Sequence, residues 1–136
     1  MEITVSKEQG RVPITVLRVA GQLDGQSYQE LIGRAREEYD AGARTMLLDL
    51  TELTYISSAG LVSLHMIALL LRGESLPDPE QGWSALKSMD RVRDGGMQKN
   101  LKLLNPRPEI MSVLDMVGFS GFFEVFMDRQ KALASF

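Results

Sequence analysis

The chain predicts a single α/β domain spanning residues 1–136, built on a mixed, mostly parallel sheet of about five strands with about four helices. Three observations carry this. Segments of strand character alternate with segments of helical period, the pattern of a parallel sheet joined by crossover helices. Met46-Leu47-Leu48 is apolar without alternation, which suits a central strand covered on both faces. A chain of 136 residues is also long enough to bury a core without disulfide or metal staples.

The elements follow in order. Ile3–Ser6 and Ile14–Val19 read as two strands, rich in β-branched residues and separated by the punctuation of Gly10 and Pro13. Gly21-Gln22-Leu23-Asp24 leads into a helix. Ser27-Tyr28-Gln29-Glu30 has the form of a capping box, in which each side chain satisfies the other's backbone N–H. Tyr28, Leu31, Ile32, Ala35 and Tyr39 recur at helical spacing, and Gly42 is placed to end that helix. Thr45–Leu50 is the central strand. A short link and a Ser-Ser-Ala-Gly turn then open an apolar helix over Ser58–Arg72. Its apolar residues cover more than one face, so one face is expected on the sheet and another is open to a partner or a second copy.

Residues 73–100 break the rhythm as an inserted loop with Pro77, Pro79, Gly82, Gly95 and Gly96, in which Trp83, Leu86 and Met89 could form one or two amphipathic turns. Leu101–Leu104 is a short strand. Pro106 and Pro108 set up a helix with Ile110, Val113, Leu114 and Val117 on its buried stripe and Gly118 past its end. Phe122–Phe126 is an aromatic edge strand, and Asp128 is placed to cap a last helix.

Composition excludes several functions. A net charge of −3 gives no electrostatic footprint for nucleic acid. The longest apolar run, Ile67–Leu71, is too short to span a bilayer. The absence of cysteine removes thiolate zinc sites and cysteine nucleophiles, and fits a reducing cytoplasm. The first ten residues lack a basic stretch followed by an apolar core, so no signal peptide is expected. There is no Walker-type phosphate loop and no Gly-rich dinucleotide fingerprint after a strand. The one histidine, His65, lies inside the apolar helix without a pattern partner. No catalytic residue, resident metal or cofactor is therefore expected, and the chain reads as a non-enzyme.

Two features remain. Asp24 and Asp49 fall near the ends of strands, where an open α/β sheet forms its ligand crevice. They are open to a Mg²⁺ role, or to the plainer roles of a helix cap at Asp24 and of bonds from Asp49 to backbone N–H groups in the link. Ser57 and Ser58 stand at a helix start, where one of them caps the helix. A phosphate there would be favoured by the positive helix end and would alter a binding surface without disturbing the fold.

The segments Val19-Ala20-Gly21-Gln22-Leu23-Asp24 and Leu47-Leu48-Asp49-Leu50-Thr51-Glu52-Leu53-Thr54-Tyr55-Ile56-Ser57-Ser58-Ala59-Gly60-Leu61 resemble the STAS domain, the module of bacterial anti-sigma factor antagonists. Leu101–Asn105, Val117-Gly118-Phe119 and Phe123–Phe126 resemble the same family's final strand–helix–strand. The likeness covers most of the chain outside the 73–100 insertion. It implies a STAS-like domain that binds an anti-sigma factor, typically an ATP-using serine kinase, in the bacterial cytoplasm. The family's usual motif is Asp-Ser-Ser/Thr-Gly, with the phospho-accepting hydroxyl just before the glycine. Aligned on Gly60, that position is Ala59, with Ser57 in place of the aspartate and Ser58 in place of the first serine.

An alanine there implies one of three things. The protein binds constitutively without a phospho-switch, or Ser58 or Ser57 substitutes as acceptor, or the domain serves a stressosome-like assembly. The first and third are favoured. The expected partner surface is Asp24, Ser57, Ser58, Ala59, Gly60, Leu61 and exposed positions of the following helix. Two other classes stand beside it: a small-molecule or nucleotide sensor using Asp24, Asp49 and the helix N-terminus, and a soluble STAS companion of an anion transporter.

Overall fold

The computed structural model describes residues 1–73 and 98–136. Most of the 73–100 insertion, including the turns expected around Trp83, Leu86 and Met89, lies outside the described residues. The chain forms β1 (Glu2–Gln9), β2 (Pro13–Leu23), α1 (Tyr28–Asp40), β3 (Met46–Asp49), β4 (Leu53–Ile56), α2 (Ser58–Leu71), β5 (Gln98–Leu104), α3 (Pro108–Met116), a 3-10 turn (Phe119–Gly121), β6 (Phe123–Phe126) and α4 (Arg129–Ala134).

The strands make one six-stranded sheet in the order β1-β2-β3-β5-β6, with β4 paired to β2. Among the described residues only the β1–β2 hairpin is antiparallel; β2–β3, β2–β4, β3–β5 and β5–β6 are parallel. The expected alternation thus builds the expected mixed sheet, and the aromatic strand β6 lies at its edge.

Strand β4 is an addition to the reading from sequence, which took Thr51–Ile56 as a link. Long β2 explains it. Thr15–Arg18 pair with β3, and Gly21–Leu23 run on beyond it to pair with β4 across a bulge between Gly21 and Gln22. The chain leaving β3 therefore finds a second stretch of the same neighbour, and Thr54 fastens it by donating to the Gly21 carbonyl at 3.0 Å.

The sheet is covered unequally. Leu17, Val19, Met46, Leu48, Leu101 and Leu103 face a large core closed by α1, α2 and α3. The alternate residues, Ile14, Val16, Leu47 and Leu104, face a smaller cluster closed by Ala132, Leu133 and Phe136 of the C-terminal segment. Burial on both faces is what the unalternating β3 run required.

Helix ends follow local chemistry with one exception. Gly42 has φ of +112°, and the Gly42 and Ala43 N–H groups donate to the Tyr39 and Glu38 carbonyls, the pair of hydrogen bonds that closes a helix at a left-handed glycine. Gly118 adopts φ of +82° past α3, and Asp128 accepts from Gln130 and Lys131 at the start of α4. The exception is the capping box at α1. Ser27 has helical φ and ψ, and its hydroxyl makes no capping bond. The hydroxyl turns back instead, accepting the Asp24 N–H at 3.0 Å and reaching the Gln22 carbonyl at 2.9 Å. The tight turn from Asp24 claims the serine before the helix can.

Candidate functional site

The site is built where β2 and β4 end side by side. Leu23 and Ile56 are register partners, so Asp24 and Ser57, the next residue of each strand, come together at the carboxyl end of the sheet. The Ser57 N–H donates to the Leu23 carbonyl at 3.0 Å, continuing the ladder one residue beyond the strands. Ser57 is then the N-cap of α2. It has an extended backbone, and its Oγ accepts the Gly60 N–H at 3.3 Å.

Gly60 makes this turn sterically possible. A Cβ there would lie 2.6 Å from both the Leu23 carbonyl oxygen and Ile56 Cγ1. The backbone of the first turn of α2 thus lies close against the end of β2 at Gly60. Glycine lets the first turn of α2 rest directly on the strands beneath it.

The turn presents its residues unequally. Ser58 is exposed, Ser57 and Ala59 are half-buried, and Gly60 is buried. The Ala59 methyl packs against the main core, so the outward hydroxyl of the turn is that of Ser58. The rest of α2 departs from expectation. Every residue from Gly60 to Leu71 is buried, and exposure returns only at Arg72 and Gly73. The second face of this helix is therefore not open, and Leu61, 3% exposed, supports the turn from within the core. A helix apolar all round is buried all round.

Asp24 is half-buried beside the turn, and its Oδ1 accepts the Gln26 N–H at 3.0 Å. It shapes its own loop and does not cap α1. Asp49 takes the plainer of its two sequence roles. Its Oδ1 accepts from the Thr51 N–H at 3.0 Å and the Thr51 hydroxyl at 2.6 Å. Its register partner is Arg18, well before Asp24 on β2, which at the strand rise separates the two carboxylates by on the order of 15–20 Å. They do not form one site. Among the described residues no group of three or more His, Asp or Glu is placed to hold a metal ion.

His65 lies in the core, its ring 6.2 Å from that of Phe122. Burial, with a smaller contribution from the Arg72 charge, lowers its pKa to about 4. A cleft of about 560 Å³ opens at the opposite end of the sheet among Lys7, Thr15, Gly42 and Arg44, and contains none of the turn residues.

Sequence reasoning missed Tyr55. It is 50% exposed on β4, two residues before the N-cap. Its signal was hidden because β4 exposes Thr54 and Tyr55 in succession between buried Leu53 and Ile56, so the segment does not alternate.

Comparison with known proteins agrees with this architecture. The protein BtrV of Bordetella bronchiseptica, named as a candidate anti-sigma factor antagonist, is 26% identical over 136 residues, covering 100% of this chain and 95% of that protein. An anti-sigma factor antagonist from Mycobacterium paratuberculosis superposes with a TM-score of 0.62 at 15% identity, over 97% of this chain and 92% of the other. The antagonist SpoIIAA in its unphosphorylated form superposes with a TM-score of 0.56 at 16% identity, over 95% and 92%. The fold is thus that of anti-sigma factor antagonists. No helix among the described residues is long and apolar enough to cross a membrane. Residues 5–73, from β1 through the Ser57–Gly60 turn to the end of α2, match the STAS domain model, and the chain belongs to the STAS domain family.

Proposed function

We propose that the chain is a non-enzymatic, cytoplasmic binding module that engages an anti-sigma factor of the serine-kinase type through the Ser57–Gly60 turn, and that it does so without the usual phospho-switch. The observation that carries this reading is the turn itself. Gly60 seats it rigidly on the strand ends, Asp24 flanks it, and Ala59 directs a methyl against the core at the position where the family carries its accepting hydroxyl. The contact surface comprises Asp24, Tyr55, Ser57, Ser58 and Ala59. Gly60 and Leu61 hold it from below.

The resemblance to an antagonist over the whole chain supports the choice of partner. The test is co-purification from the native bacterium, with mass spectrometry of bait and captured protein. Recovery of an ATPase-fold kinase with Ser57 and Ser58 unmodified is the expected result. Ser58→Glu places a negative charge on the exposed residue of the first turn, where the helix dipole tolerates it, and should cut partner affinity at least about tenfold, about 1.4 kcal/mol of binding free energy, with little change in stability. Unchanged affinity would remove the turn from the interface. Phosphate found on Ser58 would replace the switch-free reading with a displaced switch.

A further inference from the structure

We propose that α4 is a strap that opens and closes over the second face of the sheet independently of the rest of the domain, with Lys102 as its clasp.

Lys102 stands on β5 and is only 4% exposed. A buried ammonium needs oxygen partners. Lys102 Nζ donates to the Ser135 carbonyl at 2.9 Å and to Ser135 Oγ at 3.0 Å, and lies 3.6 Å from the Glu124 carboxylate. The rings of Phe136 and Phe126 flank it at 4.8 and 5.7 Å. Both hydrogen-bonded oxygens belong to the residue that ends α4. The cation therefore closes the negative end of that helix and is satisfied in this way only while the strap is down.

The remaining hold on α4 is slight. Six residues are too few for a helix to persist alone, so α4 exists by docking. Its one fully buried residue is Ala132, a small side chain, and Leu133 and the following Phe136 pack against the cluster only half-buried. Arg129 pairs with Glu8 at 3.0 Å and Asp49 at 3.9 Å, but the arginine side chain is 42% exposed, and such pairs contribute little. The hinge residues Met127 and Asp128 are exposed. Helix α2, buried along its whole length, is the opposite case. Elements held by so few buried contacts open locally while the rest stays folded.

Opening uncovers Ile14, Val16, Leu47 and Leu104 around a lysine that becomes hydrated when the strap lifts. That hydration keeps the open state accessible. The hairpin turn supplies an independent handle. A Cβ on Gly10 would lie 2.7 Å from the Leu133 carbonyl oxygen, so Gly10→Ala drives a wedge against the closed strap from outside α4.

The test is native-state hydrogen exchange on the full chain. In the unmodified protein the Ala132 and Ser135 amides should exchange through an opening that leaves Leu47 and Leu48 protected. Lys102→Met keeps the length of the side chain and removes the charge. It should speed exchange in α4 by about 10- to 100-fold, with the β3 and α2 amides unchanged. Gly10→Ala should act in the same direction. If α4 amides of the unmodified protein exchange only in step with β3, the strap does not exist as a separate unit. If both variants leave α4 exchange unchanged, Lys102 is no clasp and the proposal falls. Should Lys102→Met fail to fold, the unmodified protein and Gly10→Ala still decide.

Discussion

At the scale of single residues, Gly60 is the position on which the candidate site depends most. The neighbours that forbid a Cβ there are a backbone carbonyl and a β-branched side chain fixed in the core, and neither yields readily. Gly60→Ala should cost about 1–3 kcal/mol, the usual range for overpacking a closed interior, despite the better helix propensity of alanine. Urea denaturation reads this directly. A neutral or stabilising result would show that the turn rides freely above β2. Ser57 tests the complementary point. Its Oγ holds the Gly60 N–H, so Ser57→Ala should cost about 1 kcal/mol. Gly60 and Ser57 were legible in the sequence because a strand followed by Ser-Ser-Ala-Gly and an apolar run leaves few local conformations. Lys102 was not legible. A lysine among strand residues reads as exposed, and nothing local says that a chain segment more than thirty residues later will cover it.

At the scale of elements, periodicity identified the helices well and their partners poorly. Helix α1 shows a clean stripe, Tyr28, Leu31, Ile32 and Ala35, and buries that stripe. Helix α2 shows no stripe, and the sequence alone left open whether its surplus apolar face met a partner; the fold encloses it. Strand β4 escaped notice because it carries the extra residue of the bulge, Thr54 between Leu53 and Tyr55, which breaks its alternation. The capping box failed for a reason that is testable. Ser27 spends its hydroxyl on the Asp24–Ser27 turn, and no hydrogen bond joins its side chain to the helix start. Glu30→Ala should therefore change stability by less than about 0.5 kcal/mol, as at an ordinary surface position. Ser27→Ala should cost about 1 kcal/mol through the lost turn bonds. A true capping box would make both substitutions costly and coupled, so a double-mutant cycle on Ser27 and Glu30 distinguishes the two cases.

At the scale of the whole molecule, the unequal covering of the sheet places the main core, and His65 within it, under three helices. This fixes how stability responds to acid. In the unfolded chain His65 titrates near 6.5, whereas in the fold burial holds it neutral down to about 4. Above pH 6.5 both states carry a neutral imidazole, and the full stability is present. As pH falls below 6.5 the unfolded chain binds a proton that the folded chain refuses, so stability drops at up to about 1.4 kcal/mol per pH unit until the folded group titrates near 4. The sum is on the order of 3 kcal/mol across that window. The contribution of the histidine is isolated by difference. His65→Leu keeps an apolar side chain of similar reach and removes the titration. Denaturation curves at pH 7, 5.5 and 4.5 should show the unmodified protein losing more stability than the variant, with the gap widening as pH falls. Parallel losses in the two proteins would mean that the fold admits the proton at His65, and that the core beneath α2 is wetter than its burial implies.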